Sequence, residues 1–533
     1  MRASSPRHVG SIILMLAALV VSSCAGSTST SNGAGSTTLT IAIPGDVETL
    51  DPCCSNFIRA NTAIAQLYDT PVLLKPIKSS SGALIGQPAQ LQGIVFDSWT
   101  LQPDNLTWII KIRKGLTFHD GTPINASVIV YNYQRYLATP GGEDWLQRNI
   151  AFVTKPPVAL DDYTVKLVQD RASPMAMQVL YMDGSGIVEP SVIQAHATPD
   201  DPWATKWVAQ NVAGGTGPYT LLSHVVDQQL VFQANNKYWR GAPKIQKVIW
   251  KVIPSAAERV SLLKSGAVDM AEGLGTADLQ ALTGASGVKI VQSPSENMVY
   301  VGMNNKIAPF NDVAVRQAVS YAVNYDDILA NVYHGQAQRL YGPLPTGSPL
   351  SLGSSIGYNM DVAKAKALLA GSSYKGQAIT LSINTANADD QLVAVRVQAN
   401  LQAIGMNVNI AQLTPAVFAA DQAKQSLQAY VDEILPWIDD PDYVLALTYA
   451  CGVFGNYTNY CNKQVDAAIS AGWSETDTSK RQAMFAQTQK DIVNDAPWVF
   501  IAQPNYKLAM RSNVNGYVHY LNEIPLYYDF SKS

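Results

Sequence analysis

The sequence predicts an α/β fold: strand-length alternations of apolar and polar residues recur between helix-length segments that carry their own caps and stops. The first alternation is Leu39-Thr40-Ile41-Ala42-Ile43, whose period of two buries one face of a strand. Asp51-Pro52 then breaks the chain into a loop that runs to Asn56. A second strand is expected from Thr107 to Ile112, followed by Phe118-His119-Asp120-Gly121-Thr122-Pro123. Asp-Gly with a following Pro is turn chemistry, because Gly accepts positive φ and Pro fixes its own. Asn125 can cap the free N–H groups of a helix that starts at Ala126 and ends near Leu137. Lys247 to Val252 reads as a strand, and Ser255 to Lys264 as a helix stopped by Gly266. Asp312 can cap a helix whose apolar stripe includes Val315, Ala318, Val319 and Ala322. Asp361 can cap Val362 to Ala370, which Gly371 ends. Ile379 to Ile383 is a strand, Leu392 to Ile404 a helix, and Met406 to Ile410 a strand. Pro343, Pro345 and Pro349 mark a loop, and no repeat of fixed period is present.

At 533 residues the chain is several times longer than one core needs; dividing by about 150 gives three or so domains. Apolar residues make up 47%, enough for a large core. Charged residues are only 15%, against a usual ~25%, so Ser, Thr, Asn and Gln must cover much of the surface. The net charge is -4, and no run of Lys or Arg is long enough to track a phosphate backbone, which argues against nucleic acid as a partner.

The N-terminus carries an address. Arg2, Arg7 and His8 precede the apolar run Ser11 to Val21, too short for a membrane span of about 20 residues. Val21-Ser22-Ser23-Cys24 follows, so the segment reads as a secretory signal, and Cys24 resembles the lipidated cysteine of a bacterial lipobox. Residues 1–24 are then the signal and 25–38 a Ser/Thr/Gly-rich tether, which places the protein on the extracytoplasmic face of the cell membrane, anchored by lipid. Four cysteines remain, with three possible pairings. Cys451 and Cys461 flank a Gly/Asn/Tyr-rich loop and are the disulfide candidate, worth about 3 kcal/mol in the chain-entropy model. Adjacent Cys53 and Cys54 are either a vicinal bridge or two thiols. Without a CxxC or paired histidines no metal site is expected; His196, His224, His334 and His519 are scattered.

Several blocks, in order, carry a resemblance. They are TLDP at 49–52, IRKGLTFHDGTPINASVIVYNYQR at 112–135, GTGPYTLL at 215–222, NNKYWRGAPKIQKVIW at 235–250, NNKIAPFNDVAVRQAVSYAVN at 304–324, DVAKAKALLA at 361–370 and NDAPWVFIAQPN at 494–505. Together they resemble solute-binding protein family 5 of bacterial ABC importers, the peptide and nickel receptors. The resemblance implies a two-lobed α/β receptor of the periplasmic-binding-protein type, in its large three-domain form. Lobe I would comprise 39–80, 196–300 and 504–533, an inserted domain 81–195, and lobe II 301–503. The implied protein is a monomer without a cofactor. It closes two lobes over a small solute, with oligopeptide as the leading cargo, and works with a membrane permease and an ATPase. Within the blocks, His119 and Asp120 read as turn formers, the GTGPY glycines as shaping a backbone crossing between lobes, and Trp239 as core.

Peptide-binding relatives pair an aspartate of a Trp-x-x-Asp-x-x-Asp-Pro stretch with the ligand's α-ammonium. Here the stretch is Trp437-Ile438-Asp439-Asp440-Pro441-Asp442-Tyr443, with shorter spacing, so the role falls on Asp439 or Asp440. A buried carboxylate is costly without a partner, and a cationic ligand supplies one. The competing reading is an acidic turn that caps a helix from Tyr443 to Tyr449. Dipeptide receptors hold the ligand's carboxylate with arginines on a helix whose counterpart here reads Asn387-Ala388-Asp389-Asp390-Gln391-Leu392, with Arg396 a turn too late. That argues against strict dipeptides and leaves longer peptides, glycosides, amine metabolites or metal chelates. Trp437, Tyr443, Ser55, Asn56 and Phe57 are further cleft candidates, on the expectation that they sit at lobe edges.

A secreted hydrolase is the distant alternative. Gly353-Ser354-Ser355-Ile356-Gly357 fits G-x-S-x-G, but a proline-rich loop precedes it instead of a buried strand. H-E-x-x-H, Walker A and dinucleotide fingerprints are absent from the sequence. The chain is therefore expected to bind and not to catalyse.

Overall fold

The computed structural model describes residues 37–533 apart from 56, 57, 80, 81, 349, 474 and 476. The expectations for Cys24, Asn56 and Phe57 lie outside the described residues. The alternation at the start of the mature chain does what its period demands. In the strand Thr38–Ile43, Leu39, Ile41 and Ile43 join one apolar cluster while Ala42 joins another on the opposite face. This strand pairs in parallel with Lys247–Val252 and with Met270–Ala271. They are the middle of a seven-stranded sheet completed by Tyr219–Val225, Gln229–Ala234, Val288–Ser293 and Tyr506–Arg511. This sheet is the first lobe.

The second lobe is built on a six-stranded sheet whose central strand, Met298–Met303, is buried at every residue. A strand covered on both faces needs apolar side chains in both directions, and Met298-Val299-Tyr300-Val301-Gly302-Met303 supplies them. Helices Val313–Ala322 and Ala388–Ala403 belong to this half, with caps from Asp312 and Asn387. Two crossings join the lobes: residues 294–297, between Val288–Ser293 and Met298–Met303, and Asn505, between Trp498–Pro504 and Tyr506–Arg511. Gln503 Nε2 donates to the Ser295 carbonyl at 2.6 Å and ties the end of strand Trp498–Pro504 to the first crossing.

A four-stranded antiparallel sheet, in the order Phe96–Leu101, Thr107–Ile112, Thr164–Val168, Val158–Asp161, forms the third layer. Its helix Ala126–Ala138 begins where Asn125 Oδ1 accepts from the Ser127 and Val128 N–H groups. The expected boundary at 80/81 falls inside a hairpin, because Val72–Lys78 pairs with Leu84–Gly93, which also receives Val518–His519 from the C-terminal segment. The buried cores of this layer and of the second lobe form one continuous cluster. Trp145 meets Phe454 edge-on at 5.2 Å and Phe152 meets Trp473 at 5.1 Å across that junction.

Two local expectations are corrected. The GTGPY glycines do not form a crossing between lobes. Thr216 and Gly217 donate to the Leu67 carbonyl at the end of helix Ile58–Leu67, and a Cβ on Gly217 would stand 2.6 Å from the Gln66 oxygen. Glycine is there for close approach inside the first lobe. Trp239 is 37% exposed and not core: its indole N–H donates to Asp69, and the Arg113 guanidinium lies 4.7 Å over its ring.

Candidate ligand-binding site

Where the second lobe meets the first and the inserted layer, the structure forms a half-open cavity of about 330 Å³. Ile438 and Asp439 line it from the second lobe, and Gln87, Pro88, Gln178, Tyr181 and Leu521 from the other side. Ile438 is buried, while Asp439 is exposed within the hollow. Desolvation by the surrounding protein, helped by repulsion from Asp440, still raises the Asp439 pKa.

The two aspartates that the sequence left as alternatives have different tasks. Asp440 Oδ1 caps helix Pro441–Thr448 by accepting from the Asp442 N–H at 2.9 Å, and its carboxylate pairs with Arg481 at 2.9 Å. Arg481 also holds buried Asp442 at 2.9 Å. Asp440 is therefore a structural acid, and the ammonium-pairing expectation moves to Asp439. Tyr443, expected at the lobe edge, is buried in the second-lobe core, and Trp437 packs partly buried against the same core. Neither lines the cavity. Ser55 is buried after the turn Pro52–Cys54 and is also outside its wall.

Residues that sequence reasoning did not single out complete the wall. Tyr181 sits in the short turn Gln178–Tyr181; in the sequence its apolar neighbours make it look like core. It is 3% exposed, and its hydroxyl has no hydrogen-bond partner. Tyr181 also borders a smaller first-lobe cavity of about 50 Å³, where Asp69, Asp183 and Arg240 meet tyrosines. Burial pushes Asp183 up to about 7 there, and Asn522 is its side-chain donor.

The helix where dipeptide receptors carry arginines holds Asp389 and Asp390. Asp389 accepts from the Thr276 N–H at 3.2 Å and from its hydroxyl at 2.7 Å, a polar contact between the lobes. Asp390 is 2% exposed with an unpartnered Oδ1, and burial together with repulsion from Glu433 raises its pKa well above the ordinary value. Arg396 points elsewhere and pairs with Asp327 at 3.0 Å.

The remaining chemical candidates resolve into structure. Asp120 accepts from the Thr122 N–H and hydroxyl, an Asx turn, and His119 contacts the Gly217 carbonyl at 2.9 Å. Ser354 and Ser355 lie exposed in a short turn, Gly353–Ser355, not on a strand-to-helix elbow. Cys451 and Cys461 form a disulfide, and Cys53 and Cys54 are free thiols beside Asp51.

Two lobes joined by two crossings, with a hollow at their seam, define a solute-binding receptor of the periplasmic-binding-protein type. The chain belongs to the bacterial extracellular solute-binding proteins, family 5, whose middle region matches residues 90–456. It is 27% identical over 483 residues to the Escherichia coli (strain K12) protein named "Probable D,D-dipeptide-binding periplasmic protein DdpA", covering 90% of this chain and 91% of that one. Among solved structures it is similar to the Helicobacter pylori ABC transporter-associated periplasmic binding protein DppA in complex with the peptide STSA. That match has a TM-score of 0.83 and 22% identity and covers 93% and 98% of the two chains. It is also similar to MoaA from A. tumefacien R10 in complex with mannopinic acid, with a TM-score of 0.82, 21% identity and coverage of 93% and 100%. The same fold thus holds a peptide in one case and mannopinic acid in another, so fold alone does not name the solute. No helix of the described residues is long and apolar enough to cross a membrane.

Proposed function

We propose that the chain is the lipid-anchored receptor of an ABC importer for short peptides, with Asp439 taking the ligand's α-ammonium. The observation that carries this reading is an aspartate in the wall of the interlobe cavity that forms no ion pair among the described residues. Desolvation and the neighbouring Asp440 raise the Asp439 pKa while the cleft is empty, and an ammonium beside it would favour the charged form. The peptide class is supported by the printed names of relatives such as the D,D-dipeptide-binding protein and by the STSA complex. Asp389 and Asp390, standing where a carboxylate clamp would need arginine, favour peptides whose C-terminus is not gripped at a fixed point. Ligand would be bound stoichiometrically and released unchanged to a permease, by closure of the two lobes. Cys24 would hold the receptor at the membrane, and Cys24→Ala should move it to the soluble fraction.

Titration calorimetry with alanine peptides of increasing length tests the site. Asp439→Asn should weaken binding by ~10-fold to ~100-fold, the worth of one charge-assisted contact. Unchanged affinity would remove Asp439 from the site.

A further inference from the structure

The chain enters the four-stranded layer from the hairpin strand Leu84–Gly93 and leaves it toward Tyr219–Val225 of the first lobe. Its hold on the second lobe is therefore noncovalent. Two aromatic pairs make that hold. Trp145, on helix Gly142–Asn149, meets Phe454 edge-on at 5.2 Å, and Phe152, just past that helix, meets Trp473 at 5.1 Å. Edge-to-face rings at such distances attract beyond the area they bury.

Both sides are built to present these rings. Phe152 has φ 54°, a left-handed backbone that a bulky residue rarely adopts. Such strain persists only where the surroundings over-determine it, and here they do. Ala151 and Val153 are fully buried, the Val153 N–H donates to the Gln147 carbonyl at 2.7 Å, and the Asp170 N–H donates to the Phe152 carbonyl at 2.8 Å. The Arg171 guanidinium lies 3.9 Å over the Phe152 ring. On the second lobe, Phe454 stands in the loop closed by the Cys451–Cys461 disulfide. Buried Asn456 pins that loop by donating to the Ala450 and Tyr460 carbonyls. Gly455 lets it lie close, since a Cβ there would stand 2.6 Å from the Leu447 carbonyl oxygen. So held, the loop leaves Phe454 49% exposed with Trp145 as its aromatic partner. Trp473 is buried at the end of helix Lys463–Gly472.

None of the four rings lines the cavity, yet the same two parts of the molecule wall it: Gln178 and Tyr181 from the inserted layer, Ile438 and Asp439 from the second lobe. Drawing the inserted layer away from the second lobe opens the cavity and parts both pairs together. We propose that Trp145–Phe454 and Phe152–Trp473 form a clasp that favours the closed receptor whatever solute it holds. The proposal rests on closure of the lobes and not on the solute being a peptide. A contact made only in the closed form raises the affinity for every ligand by one common factor.

The test reads the junction directly. Lys155 and Lys463 are exposed on opposite sides of it, and each is replaced by a ketone-bearing amino acid that takes a spin label without touching the native thiols. Double electron–electron resonance on the full chain in detergent then gives the distance distribution without ligand. The long-distance population should grow in Trp145→Ala, in Phe454→Ala, and in Phe152→Gly, where glycine accepts the positive φ. Phe454 is half exposed, so its alanine variant keeps the fold and carries the test should the others unfold. Trp145→Ala added to Phe454→Ala should do little more than either alone, as members of one pair do. Calorimetry with Ala-Ala-Ala and Ala-Leu-Ala should show both peptides weakened by the same factor, ~3-fold to ~10-fold for each pair broken. Distance distributions identical in parent and variants overturn the clasp. A loss that differs between the two peptides also overturns it, because the rings would then be reading the ligand. Should neither peptide bind the parent, the peptide reading fails and the distances alone decide the clasp.

Discussion

Two sets of buried or enclosed acids, one in the first lobe and one at the seam, are treated in opposite ways. Asp51 is 1% exposed and meets the fully buried Arg135 fork-to-fork, Nη1 to Oδ1 at 2.9 Å and Nη2 to Oδ2 at 2.5 Å. The pair ties the loop after the first strand to helix Ala126–Ala138, and Arg135 reaches the Trp203 carbonyl as well. Among the described residues, Asp439, Glu296 and Glu523 form no ion pair. Asp51 has its counter-charge built into the chain, so its role is to fix structure. The seam acids lack one: Glu296 and Glu523 hold protons, and Asp439 waits for a ligand. The difference teaches that burial alone does not mark a functional acid: Asp51 is buried and paired, and Glu143, 1% exposed with an unpartnered Oε2, lies outside the cavity wall.

The largest effect should come from breaking the satisfied pair. Arg135→Ala leaves Asp51 charged and enclosed, and should cost about 3–5 kcal/mol of folding stability in a denaturant titration. Adding Asp51→Leu should recover most of that loss, because two apolar groups are cheaper than one orphaned charge. A small loss in Arg135→Ala would mean that the pair does not hold the first lobe to the inserted layer. Asp439→Asn should do the reverse: its folding stability should stay within about 0.5 kcal/mol of the parent while peptide affinity falls. A large stability loss there would place Asp439 with the structural acids.

A smaller effect sharpens the comparison through pH. Burial raises Glu296 from 4.5 to about 7 and Glu523 from 4.5 to about 8 in the folded chain. Between the unfolded and folded values the native state holds protons that the unfolded chain has lost, so stability must fall as pH rises from ~5 to ~8. Asp183, Glu143, Glu272 and Asp442, each raised to about 7, act in the same direction. The informative quantity is therefore the difference between the parent and Glu296→Gln. The variant should show a shallower decline in melting temperature over that range, and identical slopes would contradict the burial of Glu296.

Much of the fold could be read from local chemistry. Asn125, Ser255, Asp312 and Asp361 cap the helices expected of them, and Gly266 closes one with φ 77°. These signals are short-range, and a single sequence carries them. The helix expected from Leu392 begins a turn earlier, at Ala388, because Asn387 caps it and puts Asp389 at the lobe contact. The site was legible only in part. The Trp437–Tyr443 stretch pointed to the right turn, but Asp439 and Asp440 differ by which one Arg481 reaches, and Arg481 lies on another helix. Trp239 read as core because tryptophan usually is, yet its position over Arg113 leaves it at the surface.

The central claim is that Asp439, unpaired in the cavity wall, is completed by the ligand's positive charge. Calorimetry of Ala-Ala-Ala binding at pH ~5, repeated in buffers of different ionisation enthalpy, reads the protons exchanged on binding. Burial raises the Asp439 pKa in the empty cleft, so an ammonium that lowers it must expel protons. The account predicts net proton release, lost in Asp439→Asn. Binding enthalpies independent of buffer would contradict it.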